Sequence, residues 1–449
     1  MENSNSGGGG GLPPTYGVPN WPNRTLFHGD NLDFLRAMNS NSVHLIATDP
    51  PFNKGRDFHA TPDSLADGAS FHDRWSWKRD VHQEWVDQIT DDWPNVMNVI
   101  QGSRSSYGDD MGAFLCYMAV RLIAMRRVLR DDGSIYLHCD PTASHYLKEL
   151  MDAIFGKKNF RNEIIWCYSG GGQPKKDFPK KHDVILRYSK TKHYIFNADA
   201  VRVPYDSDYQ ATVFTSPMSR APGKTYGPNP KGKVVEDWWR GIPRPYGKER
   251  VGYPTEKPLA LYERIVRASS NEGDIVLDPF AGCATTCVVA DILGRQWVGI
   301  DIWDKAHDVV VNRLEAEGLL GGHRLGSVNF TAEPPQRTDG GETAVPFMLT
   351  PKGIDEPKGP KMSRAEMLEI LLDKDGSVCQ GCGREFDDYR YLQLDHNAPR
   401  SSGGINHISN RILLCGPCNL AKSDDLTLVG LRKYNRKNDY MVNEENMTR

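Results

Sequence analysis

No apolar run in the 449-residue chain is long enough to span a bilayer, which excludes a membrane-embedded helix bundle. The opening stretch, 1–14, is polar and Gly-rich and lacks the basic and apolar regions of a secretory signal. An excess of one charge is also missing. The net charge is −3, so any surface for an anionic polymer must be a local patch. A disulfide framework is absent: five of the nine cysteines are scattered among apolar residues, and four form two Cys-x-x-Cys pairs. Without a secretory signal, a reducing, cytoplasmic setting is expected, and metal is favoured over disulfides. There is no internal repeat. With 39% apolar and 25% charged residues, the composition is that of a soluble globular protein, with room for two or three domains.

What is present is an alternation of short apolar strands and amphipathic helices. Strands are expected at 25–27, 43–47, 134–139, 163–168, 182–189, 275–277 and 297–300. Helices are expected at 32–38, 111–129, 144–154, 258–269, 286–293 and 305–317. That order predicts a mostly parallel sheet covered on both faces, with 182–189 pairing antiparallel. Residues 54–110 read as an irregular polar insertion with one helix near 79–89, and 197–252 as an aperiodic segment rich in Tyr, Trp, Lys and Arg.

Two stretches carry chemistry. Thr48-Asp49-Pro50-Pro51-Phe52-Asn53 follows a buried strand, and its two prolines end that strand abruptly. Asp49 is left at the carboxyl end, the edge where open α/β sheets keep their ligands. A carboxylate, free backbone carbonyls and the Phe52 ring then suit a flat, nitrogen-bearing base. The second stretch, Asp278-Pro279-Phe280-Ala281-Gly282, is a strand end, a tight turn and a helix start. Gly282 permits close approach of a ligand, and Asp278 can hold a cationic amino group or a hydroxyl. Asp301 lies at the next strand end, where a carboxylate can take two ribose hydroxyls. The three spaced glycines of a pyrophosphate site are missing, so an adenosine cofactor without phosphates fits better than a dinucleotide.

Asp-Pro-Pro-Phe and Asp-Pro-Phe-Ala-Gly together resemble the DNA amino-methyltransferases, in the β-class order of motifs, over about 25–318. The resemblance implies a Rossmann-like fold, S-adenosyl-L-methionine as cofactor, and methylation of an exocyclic base nitrogen in double-stranded DNA. It places Asp30 near the cofactor's adenine and Lys257, in Thr255-Glu256-Lys257-Pro258, at its methionine end. Asp49 and the Pro50 carbonyl would accept from the target amine, and Phe52 would stack on a base flipped from the duplex. Ala284 stands where the family more often has glycine, and weakened closeness is the expected cost. Asp-Pro-Pro-Phe is closer to the adenine-N6 enzymes than to the cytosine-N4 enzymes. Trp238, Trp239, Arg240 and Arg244 are expected to read sequence and fill the gap. Lys175, Lys176, Lys180 and Lys181 would contact phosphates.

Near the end, Cys379/Cys382 and Cys415/Cys418 have the spacing of one tetrahedral zinc. Asp395-His396, Asn410 and Asn419 between and after them resemble the HNH nuclease motif on a ββα-metal fold. By that resemblance His396 is the general base, Asn410 fixes the loop that orients it, and Asp395 and Asn419 bind Mg²⁺ or Mn²⁺ through oxygen. Lys422 could hold a phosphate.

The domain expectation is a disordered tail at 1–24, a methyltransferase domain at 25–319 with its target-recognition segment at 197–252, and a linker at 320–361. An HNH domain at 362–430 and a tail at 431–449 complete it. The expected function is site-specific DNA methylation with a fused endonuclease, in restriction and modification or in phage DNA processing, by a bacterial or phage-encoded chain. Two alternatives remain: a cytosine-N4 enzyme whose HNH module only binds DNA, and a mobile-element nuclease targeted by its methyltransferase. Recognition by a small segment leaves room for a homodimer.

Overall fold

Short aliphatic runs become the strands of one central sheet, because a strand covered on both faces needs apolar side chains on both. The computed structural model describes residues 16–170, 172–205, 214–215, 225–226, 228–320, 327–339, 362–397, 407–422 and 426–442. Among them nine strands share this sheet. In chain order these are β1 (Thr25–His28), β2 (Val43–Thr48), β3 (Leu129–Cys139), β4 (Phe160–Cys167) and β5 (His182–Ser189). β6 (Trp238–Trp239), β7 (Ile275–Asp278), β8 (Gln296–Asp301) and β9 (Asn329–Thr331) follow. Their spatial order is β6-β4-β5-β3-β2-β7-β8-β1-β9. β5 runs antiparallel to both β3 and β4, and every other pairing is parallel. The expected sheet, mostly parallel with one reversed strand, is the one observed.

In chain order the longer helices up to residue 316 are α1 (Asn31–Ala37), α2 (Gln83–Asp92), α3 (Pro94–Tyr107), α4 (Asp109–Val128), α5 (Ser144–Phe155), α6 (Leu259–Ser269), α7 (Thr285–Ile292) and α8 (Ala306–Ala316). Leu45, Val276 and Trp297 from the strands share a buried cluster with Leu261 and Ile265 of α6, Val288 of α7 and Val309 of α8. The C-terminal module adds α9 (Arg364–Asp375), β10 (Leu392–His396), β11 (Arg411–Cys415), α10 (Gly416–Lys422) and α11 (Leu428–Lys437). Its own core includes Met367, Leu371, Leu394, Leu413 and Leu431. The chain divides into two compact units, Met1–Arg74 with Arg121–Ala344, and Trp75–Val120 with Val345–Arg449.

Four expected boundaries change. Of the tail at 1–24, residues 1–15 lie outside the described part, but 16–24 pack in place. Gly17 N–H donates to the Ser40 carbonyl at 3.0 Å, and Arg24 grips Asp291. The insertion at 54–110 is helical through α2 and α3, because Pro94 sits at a helix start, where its missing N–H costs nothing. Of the linker, 321–326 and 340–361 lie outside the described residues, while 327–339 are ordered. β9 pairs with β1, and buried Asp339 accepts the Ser40 N–H at 2.6 Å. In the C-terminal tail α11 runs past 430, and Val442 N–H donates to the Cys382 carbonyl, so the module extends to 442.

Asp291 of α7 joins several of these pieces. It accepts Arg24 through both oxygens at 2.7 and 2.8 Å and the Trp297 indole N–H at 2.8 Å. Asp291→Ala strands a half-buried guanidinium and a buried indole donor. A loss of about 2–4 kcal/mol is expected, read as a lower urea midpoint of the N-terminal unit.

Candidate active sites

β2 and β7 lie side by side, Leu45 opposite Val276 and Ile46 opposite Leu277. Their carboxyl ends open on one edge, so the two motifs meet although they are 230 residues apart. The Thr48 hydroxyl seals the junction by donating to Asp278 Oδ1 at 2.7 Å. Beyond the two prolines the loop is held by Asp73, which is fully buried. Its carboxylate accepts the backbone N–H groups of Asn53 and Lys54 at 2.8 Å each and of Phe52 at 3.4 Å. That charge offsets the cost of Asn53 in the left-handed region, with φ +59°.

Asp49 Oδ2 lies 2.5 Å from Lys257 Nζ. The same ammonium donates to the Thr255 carbonyl at 2.7 Å and sits 5.4 Å from the centre of the Phe52 ring. Asp49 Oδ1 is buried and has no hydrogen-bond partner among the described residues. In front of this pair lies a cleft of about 940 Å³. Phe52, Trp166, Tyr168, Asp183 and Tyr253 line its walls, and Lys54, Arg56, Lys180, Arg244 and Arg250 give it a basic rim. His138 stacks on Phe52 and places Nε2 3.1 Å from Asp183 Oδ2, while the Tyr168 hydroxyl donates to Asp183 Oδ1 at 3.0 Å. Burial acts to raise Asp183. His138, Lys257 and Tyr168 outweigh it and hold this carboxyl at about 2. The Arg244 guanidinium covers the Tyr168 ring at 4.0 Å.

In the turn after β7, Gly282 has φ +52°, and a Cβ there would come within 2.8 Å of the Tyr253 ring. Its N–H donates to Asp301 Oδ2 at 2.6 Å, and the Trp303 N–H donates to Oδ1 at 2.8 Å. Burial raises Asp301 above the ordinary carboxylate range, against the pull of those N–H groups. Burial likewise pushes Asp278 up to about 7, despite hydrogen bonds from Thr48, Thr286 and the Phe280 N–H. Ala284 also has a left-handed backbone, φ +53°, so its methyl group carries strain of about 1–2 kcal/mol rather than a mere loss of closeness. Asp30 caps α1 and is clamped by Arg121 through two contacts of 2.7 and 2.8 Å. Neighbouring Asn31 donates to the Pro279 carbonyl at 2.6 Å, which ties this corner to the same turn.

In the C-terminal module β10 and β11 pair antiparallel and lead into α10, a ββα unit. The four paired cysteines are buried, with Sγ atoms all within 4.8 Å of one another. Cys382 Sγ and Cys415 Sγ are 3.9 Å apart, close to the roughly 3.8 Å edge of a tetrahedron with Zn–S bonds of about 2.3 Å. N–H donors from Cys415 to Cys379 Sγ at 3.2 Å and from Asn435 to Cys418 Sγ at 3.3 Å suit thiolates. These residues fit zinc. The divalent site expected beside them is not assembled. The ammonium of Lys422, 1% exposed, lies 3.1 Å from Asp395 Oδ2, and the Asn419 amide donates to Gln393 Oε1 at 2.5 Å. Buried Lys422 is therefore no surface phosphate ligand. His396 Nδ1 faces Arg411 at 3.2 Å. Buried Asn410 accepts the Asn397 N–H at 2.9 Å through its carbonyl, bracing the strand end that carries His396.

A family profile described as "DNA methylase" matches residues 43–312, more than half of the chain. The chain belongs to the DNA methylase family. A second profile, "HNH endonuclease", matches residues 379–425. The DNA adenine methyltransferase YhdJ of Escherichia coli is 30% identical over 309 residues, 68% of this chain and 87% of that one. The type II methyltransferase M.HpaI of Haemophilus parainfluenzae is 30% identical over 285 residues, 63% of this chain and 71% of its own. Among solved structures, a DNA modification methylase from Thermus thermophilus aligns at 20% identity and a TM-score of 0.41, covering 69% of this chain and all of that one. The cytosine-N4-specific PvuII DNA methyltransferase aligns at 14% identity and a TM-score of 0.40, covering 71% and 92%.

The structure brings Asp49, Pro50, Pro51 and Phe52 to the same sheet edge as the Asp278–Gly282 turn. The Lys257 ammonium, expected at the cofactor's methionine end, donates to Asp49 and to the Thr255 carbonyl. Trp239 is corrected too. It is buried in the edge strand β6 with the Arg264 guanidinium over its ring, leaving Trp238 and Arg240 outside. Of the target-recognition segment, 206–213, 216–224 and 227 lie outside the described residues. Four residues that shape the cleft were missed by the sequence reading: Asp73, His138, Asp183 and Tyr253. Only His138 left a signal there, as a polar residue next to the end of an apolar strand.

Two outcomes are expected. Lys257→Met leaves Asp49 as a mostly buried carboxylate without its cation, at a cost of ~3 kcal/mol in chemical denaturation. Zinc chelation or Cys415→Ser unfolds the HNH module. Helix α2 loses hydrogen-exchange protection with it, because Asp87 lies 3.1 Å from the Thr427 hydroxyl that caps α11.

Proposed function

We propose that the methylase domain moves a methyl group from S-adenosyl-L-methionine to the N6 amine of an adenine flipped out of double-stranded DNA. The observation that carries this reading is Asp49 Oδ1, a buried acceptor without a partner at the edge shared with the Gly282 turn. An exocyclic amine brings two N–H donors. Asp49 Oδ1 takes one and the Pro50 carbonyl the other, which turns the nitrogen toward tetrahedral geometry and frees its lone pair. Lys257 keeps Oδ2 occupied, so the carboxylate presents one defined oxygen. Phe52, backed by His138, gives the base a face to stack on, and the cleft of about 940 Å³ has room for it. When bound, the cofactor supplies a methyl already activated on a sulfonium, which leaves positioning as the protein's main contribution. Asp278, Gly282 and Asp301 are the residues that would hold it, with Asp30, Phe280 and Lys257 around them. Adenine is preferred over cytosine on the Asp-Pro-Pro-Phe motif alone.

For the HNH module we propose metal-dependent DNA cleavage, with His396 as the base and Asp395 and Asn419 holding Mg²⁺ or Mn²⁺ once Lys422 leaves Asp395. The Lys422–Asp395 pair favours a second reading, in which the module binds DNA without cutting it.

Mass spectrometry of nucleosides from DNA treated with the protein and labelled cofactor tests the methylase reading. N6-methyladenine is expected, Asp49→Ala should abolish it while cofactor binding persists, and N4-methylcytosine would overturn the choice of base. Cofactor affinity should rise as pH passes about 7, because Asp278 ionises there and its charge attracts the cofactor's amino group. Asp278→Asn should lose that rise in calorimetric titration. Plasmid nicking with Mg²⁺ or Mn²⁺, lost in His396→Ala, is expected of a working nuclease. Absence of nicking with methylation intact would favour the binding module.

A further inference from the structure

We propose that Phe178 is an aromatic wedge that enters the DNA double helix at the step vacated by the flipped base. The proposal rests on the base-flipping methyl transfer argued above. Phe178 is 96% exposed, the most exposed large hydrophobic side chain among the described residues. A phenyl ring left wholly in water adds nothing to the packing of the loop that carries it, and its burial elsewhere is favourable. Single exposed apolar residues are common, so the setting must distinguish this one.

The setting has three parts. The loop joins β4 to β5, and β4 points the same way as β2, since β5 is antiparallel to both of its neighbours. The loop therefore leaves the sheet at the edge where Asp49 lies, and its two ends, at Tyr168 and at Lys180 and His182, line the cleft. Next, the ring stands between Lys175-Lys176 and Lys180-Lys181, four cations within seven residues. Lys181 donates to the Gly170 and Gly172 carbonyls and closes the base of the loop, while Lys175, Lys176 and Lys180 stay exposed. Finally, Pro179 follows and biases the Phe178 backbone toward the extended region, which stiffens the tip.

A polyanion with an apolar slot matches this surface, and duplex DNA has both. Extruding a base unstacks its neighbours and opens that slot, and apolar side chains are known to occupy such steps. With the lysines on flanking phosphates, the Phe178 ring replaces the lost stacking and keeps the extruded base from returning.

The test uses the full chain and duplexes bearing its site, found by sequencing DNA from cells that express it. One duplex is fully paired, and the other carries an abasic residue opposite the target base, so that extrusion costs little. Phe178→Ala should lower kcat/KM about tenfold on the paired duplex and less than about threefold on the abasic one. Phe178→Trp, which keeps an aromatic face, should stay near wild type on both. Equal activity of Phe178→Ala and wild type on the paired duplex would overturn the wedge. So would an equal loss on both duplexes, which assigns Phe178 to ordinary binding. A wild-type protein that methylates neither duplex overturns the underlying reading instead, so the two failures are distinguishable.

Discussion

Parallel pairing of β2 with β7 is the constraint on which the candidate methylase cleft depends. Parallel neighbours end at the same edge, so a strand that stops at Asp49 and one that stops at Asp278 deliver their loops to one place. Register does the fine work. With Ile46 opposite Leu277, Thr48 reaches Asp278, and the junction is hydrogen-bonded rather than open. Each loop then needs its own brace. Asp73 gathers the backbone amides after the prolines, and Asp301 gathers those of the glycine turn. Both sites of expected chemistry are thus shaped by a carboxylate bound to main-chain N–H groups.

The cleft sets carboxylates against one another by surroundings alone. Asp183 has three partners that favour its charge and is held at about 2. Asp278, buried beside Asp49 with mostly neutral donors, is pushed up to about 7. Near neutrality the first is a fixed anion and the second sits close to its midpoint. The cleft thus carries one permanent and one adjustable negative group.

Much of this was legible in the sequence, and what was not has physical reasons. The strand before Asp49, the reversed strand at 182–189 and the cysteine pairs are local patterns, visible as period, proline or spacing. Asp73 was invisible because its partners are backbone amides, which carry no letter in the sequence. Asp183 and His138 meet only through the antiparallel pairing of β3 with β5, a long-range event. Residues 327–339 read as linker because Pro and Thr are common in both loops and edge strands, and pairing with β1 decided between them. Lys422 was expected to hold a phosphate. Burial against Asp395 makes it an internal counter-ion instead.

The unit that carries the HNH module draws one piece from Trp75–Val120 and another from Val345–Arg449. Its helix α2 reaches the cap of α11 through Asp87. The two halves of this fusion are interlaced along the gene rather than strung end to end. A fragment stopped anywhere in 340–361 would keep the first piece and discard the second, and a graft of the last hundred residues onto another protein would arrive without α2. Separating the two units takes three breaks in the chain, after Arg74, Val120 and Ala344.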